Sequence, residues 1–129
     1  MHPSVSIVMN CFNGEKFLNE AIDSVYAQNY DNWEIIFWDN CSTDKSAEIA
    51  RSYDSKLKYY SGGTNIPLGS ARNKALGKCN GDFIAFLDCD DIWLPDKLEM
   101  QMPLFSDSEV GLVFSDVIYF NNSGHGFRL

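Results

Sequence analysis

Residues 81–98 read GDFIAFLDCDDIWLPDKL. A turn at Gly81-Asp82 leads into the apolar run Phe83-Ile84-Ala85-Phe86-Leu87, which stops at Asp88 and gives way to Cys89-Asp90-Asp91. A short run without polar alternation is what a strand buried on both faces requires. The same pattern occurs twice upstream. Val5-Ser6-Ile7-Val8-Met9 stops at Asn10, and Trp33 to Trp38 stops at Asp39. Between these runs the spacing changes to that of helices. Phe17, Leu18, Ala21, Ile22 and Val25 share one helical face. Ser42 is a candidate N-cap for a helix carrying Ala47, Ile49, Ala50 and Tyr53. A short strand is expected near Leu57–Tyr60, followed by the turn-rich loop SGGTNIP. Pro67 suits the first turn of a helix running to about Lys78, with Leu68, Ala71, Ala75 and Leu76 inward. A further helix is expected to start near Leu94-Pro95 and fail by Pro103, and a last strand to run from Val110 to about Phe120. Residues 121–129 read as a loop-like tail.

Strands alternating with helices predict an α/β fold, a Rossmann-like doubly wound and mostly parallel sheet with helices on both faces. With 129 residues, one domain is expected, its core spanning about 4–120. In such a sheet Asn10, Asp39 and Asp88 all fall at the carboxyl edge, where ligands bind. Any one of them could be a simple turn residue. Three together point to a crevice.

The net charge of −8 argues against nucleic-acid binding by bulk electrostatics. No run approaches the roughly 20 apolar residues that span a bilayer, and the N-terminus lacks the basic start of a signal peptide. The four cysteines, at 11, 41, 79 and 89, have no zinc-ligand spacing and read as free thiols in a reducing cytoplasm. Neither a GxGxxG nor a GxxxxGK[ST] loop is present, which also counts against a nucleotidyltransferase. A serine elbow is absent as well, and the two histidines, His2 and His125, lie near the ends.

The carboxylates of Asp88, Asp90 and Asp91 repel one another unless a cation lies among them. Hard oxygen donors at that density suit Mg²⁺ or Mn²⁺. Taken alone, the string reads equally as an Asp-rich turn ahead of a helix.

Taken in order, residues 5–46 (VSIVMNCFNGEKFLNEAIDSVYAQNYDNWEIIFWDNCSTDKS), 69–76 (GSARNKAL) and 81–98 resemble a family 2 glycosyltransferase of the GT-A, nucleotide-diphospho-sugar-binding fold. The resemblance spans roughly residues 4–104 and covers the donor-binding part of that family. It implies that Asn10 and Phe12 contact the nucleotide base, with Phe12 stacking on it or else filling core. By the same resemblance Asp39 accepts a hydrogen bond from the base, Arg72 lies near the nucleotide, Asp88 faces ribose or metal, and Asp90 ligates Mn²⁺ or Mg²⁺. Asp91 is left as a supporting residue or a helix cap.

The implied reaction moves a sugar from a nucleoside diphosphate to an acceptor hydroxyl, with inversion, in cell-surface polysaccharide or glycoconjugate synthesis. The expected partners are a nucleotide-sugar donor and a lipid-linked or glycan acceptor, met in the cytoplasm or peripherally at the inner membrane face. The family's general base lies beyond the acidic motif, in an acceptor-binding part expected to be missing here. Asp107, Glu109 and Asp116 are the acids at hand, and none matches it. Asn10 stands where the family often has proline, and Asp39-Asn40-Cys41 where it often has two acids and a glycine. A non-catalytic nucleotide-sugar-binding or regulatory module of the same fold is the alternative.

Overall fold

Strand β1 (Val5–Cys11) has a strand on each edge and a helical layer on each face, so Ile7, Val8 and Met9 are all but removed from solvent. The computed structural model describes residues 2–120 and the backbone of 126–128. After β1 come α1 (Leu18–Tyr26), β2 (Trp33–Asp39), α2 (Ser46–Arg51), β3 (Leu57–Ser61), α3 (Leu68–Leu76), β4 (Phe83–Phe86) and α4 (Lys97–Gln101). The sheet order is β3-β2-β1-β4, and every pairing is parallel. Its register sets Cys11 beside Asp39 and Val8 beside Phe86, bringing three strand ends to one edge.

Alternate residues of each strand serve opposite layers. Ile7, Met9, Ile35 and Phe37 pack with Leu18, Ala21, Ile22 and Val25 of α1, Ala50 of α2 and Leu98 of α4. Val8, Ile36 and Trp38 face the other way, onto Ala71 and Ala75 of α3. Burying each large aliphatic side chain here is worth about 1.5–3 kcal/mol relative to exposure. The small alanines let α3 approach the sheet closely. The doubly wound sheet with helices on both faces is therefore observed.

Several local expectations are corrected. Ser42 does not cap α2, which begins at Ser46 after Lys45; its hydroxyl instead accepts the Asn13 N–H at 2.9 Å. Leu68 is exposed, the buried face of α3 being formed by Ala71 and Ala75. The helix expected from near Leu94-Pro95 starts only at Lys97; it ends at Gln101, before Pro103 as expected, and a 3₁₀ helix follows over Met102–Ser106, where proline near the start gives up no needed N–H. Residues 110–117 are not strand. Only β5 (Ile118–Phe120) forms, and it pairs antiparallel with β6 (Gly126–Arg128) outside the main sheet. The tail thus contains a strand rather than loop alone, while residues 121–125 lie outside the described residues.

Candidate nucleotide-sugar site

Asn10, Phe12, Arg72, Asp88 and Asp90 line one cleft of about 500 Å³ at the carboxyl edge, together with Asn13, Gly14, Lys16, Phe17, Leu68 and Cys89. Five residues singled out in the sequence thus meet. Phe12 is half exposed, so it lines the cleft rather than filling core. Asn10 Nδ2 is buried without a hydrogen-bond partner. A buried amide left unsatisfied costs about 1–3 kcal/mol, which a ligand acceptor would recover. Arg72 Nη2 stands 3.7 Å from Asp88 Oδ1, with both side chains substantially exposed. Such a pair is worth about 0–1 kcal/mol, so the guanidinium is readily turned toward an anion. Lys16 is a second cation in the cleft, despite the net charge of −8.

Asp39 is placed differently. It is 2% exposed and is not among the residues lining the cleft. Its Oδ1 accepts the Ser42 N–H at 2.9 Å and its Oδ2 accepts the Tyr59 hydroxyl at 2.5 Å. Burial, then this bond to Asp39, pushes the Tyr59 phenol up to about 12. The next residue, Asn40, clamps the β3–α3 loop: Nδ2 donates to the Ile66 C=O at 2.7 Å and Oδ1 accepts the Ile66 N–H at 2.9 Å. That clamp sets where α3, and with it Arg72, begins. Cys41 takes a left-handed φ of 63° in the turn, a conformation glycine would adopt without cost.

Ligand oxygens of Asp88, Asp90 and Asp91 all lie within 4.8 Å of one another, and the three residues are exposed. Partial burial, and then the charges of Asp90 and Asp88, hold the Asp91 carboxyl above its ordinary range. The turn carrying them is tied down on its far side. The Trp93 N–H donates to Ser24 Oγ at 3.1 Å, and Gln28 Nε2 donates to the Leu94 C=O at 2.7 Å. Three hard carboxylates, close together and open to solvent, fit a divalent cation with Mg²⁺ or Mn²⁺ chemistry. On the near side, the Cys89 thiol donates to the Asn10 C=O at 3.0 Å. The neighbouring Cys89 side chain is the main reason that the Cys11 thiol is lowered to about 7, and Cys11, then burial, raises the Cys89 thiol.

Sequence reasoning missed Lys16, Asn13 and Gly14. Asn13 takes a φ of 51° and its Oδ1 accepts the Thr43 N–H at 2.7 Å, knitting the loop after β1 to the loop after β2. The one signal was Asn13-Gly14 following a strand, a pair that favours turns with positive φ. Asp107, Glu109 and Asp116 do not line the cleft.

The profile of glycosyl transferase family 2 matches residues 6–129, and the chain belongs to that family. It is 36% identical over 120 residues to the Escherichia coli UDP-Glc:alpha-D-GlcNAc-diphosphoundecaprenol beta-1,3-glucosyltransferase WfgD, covering 92% of this chain and 47% of that protein. It superposes on the S. aureus TarS 1-349 complex with UDP-GlcNAc with a TM-score of 0.75 and 31% identity, over 81% of this chain and 31% of that one. The mannosyltransferase PcManGT of Pyrobaculum calidifontis, solved with GDP-Man and Mn²⁺, shares the fold at a TM-score of 0.80 and 24% identity, over 86% of this chain and 34% of that one. The GT-A architecture is thus the chain's own. The chain spans about half the length of WfgD. Among the described residues, no helix is long and apolar enough to cross a membrane.

Proposed function

We propose that this chain carries the donor site of a metal-dependent, inverting glycosyltransferase that moves a sugar from a nucleoside diphosphate to an acceptor hydroxyl in cell-surface polysaccharide or glycoconjugate synthesis. The observation that carries this reading is the meeting, in one cleft, of an exposed aromatic ring, an unpartnered amide, two cations and the acidic turn. Phe12 stacks on the base, and Asn10 Nδ2 donates to a ligand acceptor. Asp39 takes part by exchange, a base N–H replacing the Tyr59 hydroxyl at Oδ2. Asp90 and Asp88 hold Mn²⁺ or Mg²⁺, which when bound neutralises charge on the leaving diphosphate. Arg72 and Lys16 orient the phosphates and add to that neutralisation. The half-open cleft leaves the anomeric carbon reachable by an acceptor from the solvent side.

In this reading residues 1–129 form a single donor-binding unit, and the general base belongs to an acceptor-binding part. The acceptor hydroxyl is borne by a lipid-linked or glycan sugar, met at the cytoplasmic membrane face; the name of WfgD gives that relative a sugar-diphosphoundecaprenol acceptor. One observation favours a second reading, that of a nucleotide-sugar-binding module without turnover. The acids Asp107, Glu109 and Asp116 stand away from the cleft, which therefore lacks a base beyond Asp88 and Asp90.

Calorimetric titration with UDP, GDP, CDP and dTDP, each with and without Mn²⁺, tests the donor site. Metal-dependent binding of one nucleotide is the expected result. Its absence in a folded sample would sink both readings. Steady sugar transfer by this chain alone would overturn the assignment of the base elsewhere.

A further inference from the structure

Two of the four cysteines meet at the heart of this site. β4 pairs with β1 up to Val8 and Phe86, and the turn that follows it brings Cys89 back to the end of β1, where Cys11 lies. The two segments stay in step past β4, because the Leu87 N–H still donates to the Val8 C=O. The sulfurs also converge. Cys89 Sγ turns back onto β1, 3.0 Å from the Asn10 C=O. A Cβ on Gly14 would stand 3.0 Å from Cys11 Sγ and 3.9 Å from Cys89 Sγ, so both sulfurs border one small space that glycine leaves clear. Cys89 lines the cleft and is reachable from solvent, whereas Cys11 is 3% exposed behind it. Cys79 lies on the other side of the sheet, beside Ala75.

We propose that Cys11 and Cys89 are an oxidation site, at which a peroxide forms a reversible disulfide that pins the Asp88–Asp91 turn to the end of β1 and closes the donor site. Peroxide takes one thiol of the pair to the sulfenic acid with loss of one water. The other sulfur then displaces the hydroxyl, forming the S–S bond and a second water that carries off the remaining thiol proton. The peroxide is reduced and the dithiol oxidised, by two electrons. Because Cys89 sits between Asp88 and Asp90, drawing its sulfur inward reorients both carboxylates. The effect on donor binding rests on the function proposed above; the bridge itself does not.

The test is brief treatment of the folded chain with hydrogen peroxide, followed by peptide mapping without reductant. A Cys11–Cys89 bridge that dithiothreitol removes is expected. It should persist in the Cys41→Ser/Cys79→Ser double variant and be missing from Cys11→Ser. Should Cys11→Ser fail to fold, the double variant decides alone, since it holds only the proposed pair. Both thiols still reduced, oxidised to sulfinic acid unbridged, or bridged to Cys41 or Cys79 would overturn the proposal. The bridged chain should also lose at least tenfold in affinity for the nucleotide with Mn²⁺ and regain it on reduction. Unchanged affinity in a fully bridged sample would overturn the switch. A reduced chain that binds no nucleotide would instead refute the donor-site reading, with the bridge still judged by mapping.

Discussion

β2 ends in the carboxylate of Asp39 and β4 is followed, two residues past its end, by that of Asp88 at the same edge of the sheet, yet their surroundings are opposite. β2 lies between β3 and β1; its Phe37 is fully buried, and Asp39 is engaged on both oxygens by Tyr59 and Ser42. β4 is an edge strand whose Ile84 and Phe86 are about half exposed, and it leads to Asp88 and Asp90, both open to solvent. An identical strand-end signal therefore carries two meanings. A carboxylate that the protein satisfies itself holds a turn, and a crowded set that it leaves unsatisfied is shaped for a ligand.

The widest contrast is expected in the strands themselves. Phe37→Ala should cost about 3–5 kcal/mol in denaturant unfolding, against less than about 0.5 kcal/mol for Phe86→Ala, as for ordinary surface changes. Equal losses would mean that β4 is as much a core strand as β2. Next come the carboxylates. Asp39→Ala should cost about 3 kcal/mol, since it strands two donors to a buried anion. Asp90→Ala should leave the stability of the metal-free protein within about 0.5 kcal/mol, or raise it by relieving repulsion.

Tyr59→Phe sharpens the exchange assigned to Asp39. Freeing Oδ2 for a base N–H should tighten nucleotide binding about fivefold, one hydrogen bond of about 1 kcal/mol. Weaker binding in a titration of that variant would show that the phenol serves the site directly. The smallest effect is expected at the opposite edge of the sheet. Burial would raise the Glu34 carboxyl, but hydrogen bonds from Lys58, Ser6 and the Asn80 N–H outweigh it and hold it below its ordinary 4.5. A depressed folded-state value stabilises the protein above the unfolded value, and that stabilisation is lost as pH falls through the folded one. Glu34→Gln should therefore lose less stability than wild type below about pH 4.5. Parallel acid-unfolding curves would contradict this.

The sheet was legible because its signals are local and repeated. Apolar runs that stop at Asn10 and Asp39 need burial on both faces, and helical spacing between them supplies the covering layers; the run before Asp88 has the same composition but forms an edge strand with one face about half exposed. The stretch 110–117 misled for a physical reason: Leu112 and Phe114 suit a strand by composition, but among the described residues no strand pairs with them and both are highly exposed. Ser42 misled because a hydroxyl before a helix can cap it or bond elsewhere, and Asn13 lies 29 residues away in sequence. Five of the candidate site residues share the cleft, since Asn10 and Phe12 lie at the end of β1, Asp88 and Asp90 follow β4, and Arg72 lies within α3. The burial of Asp39 was not legible, because it depends on where Tyr59 of the neighbouring strand directs its hydroxyl. Lys16 carried no pattern of its own, and only the fold sets it against the cleft.

Thermal unfolding of wild type and Asp90→Ala with UDP or GDP, with and without Mn²⁺, tests the central claim most directly. A ligand at 100 times its Kd should stabilise the wild-type chain by about 2.7 kcal/mol. The account predicts that shift for one nucleotide, only with Mn²⁺, and its loss in Asp90→Ala. A shift of equal size in both proteins, or one indifferent to Mn²⁺, would contradict the assignment of the acidic turn to a metal-bridged diphosphate.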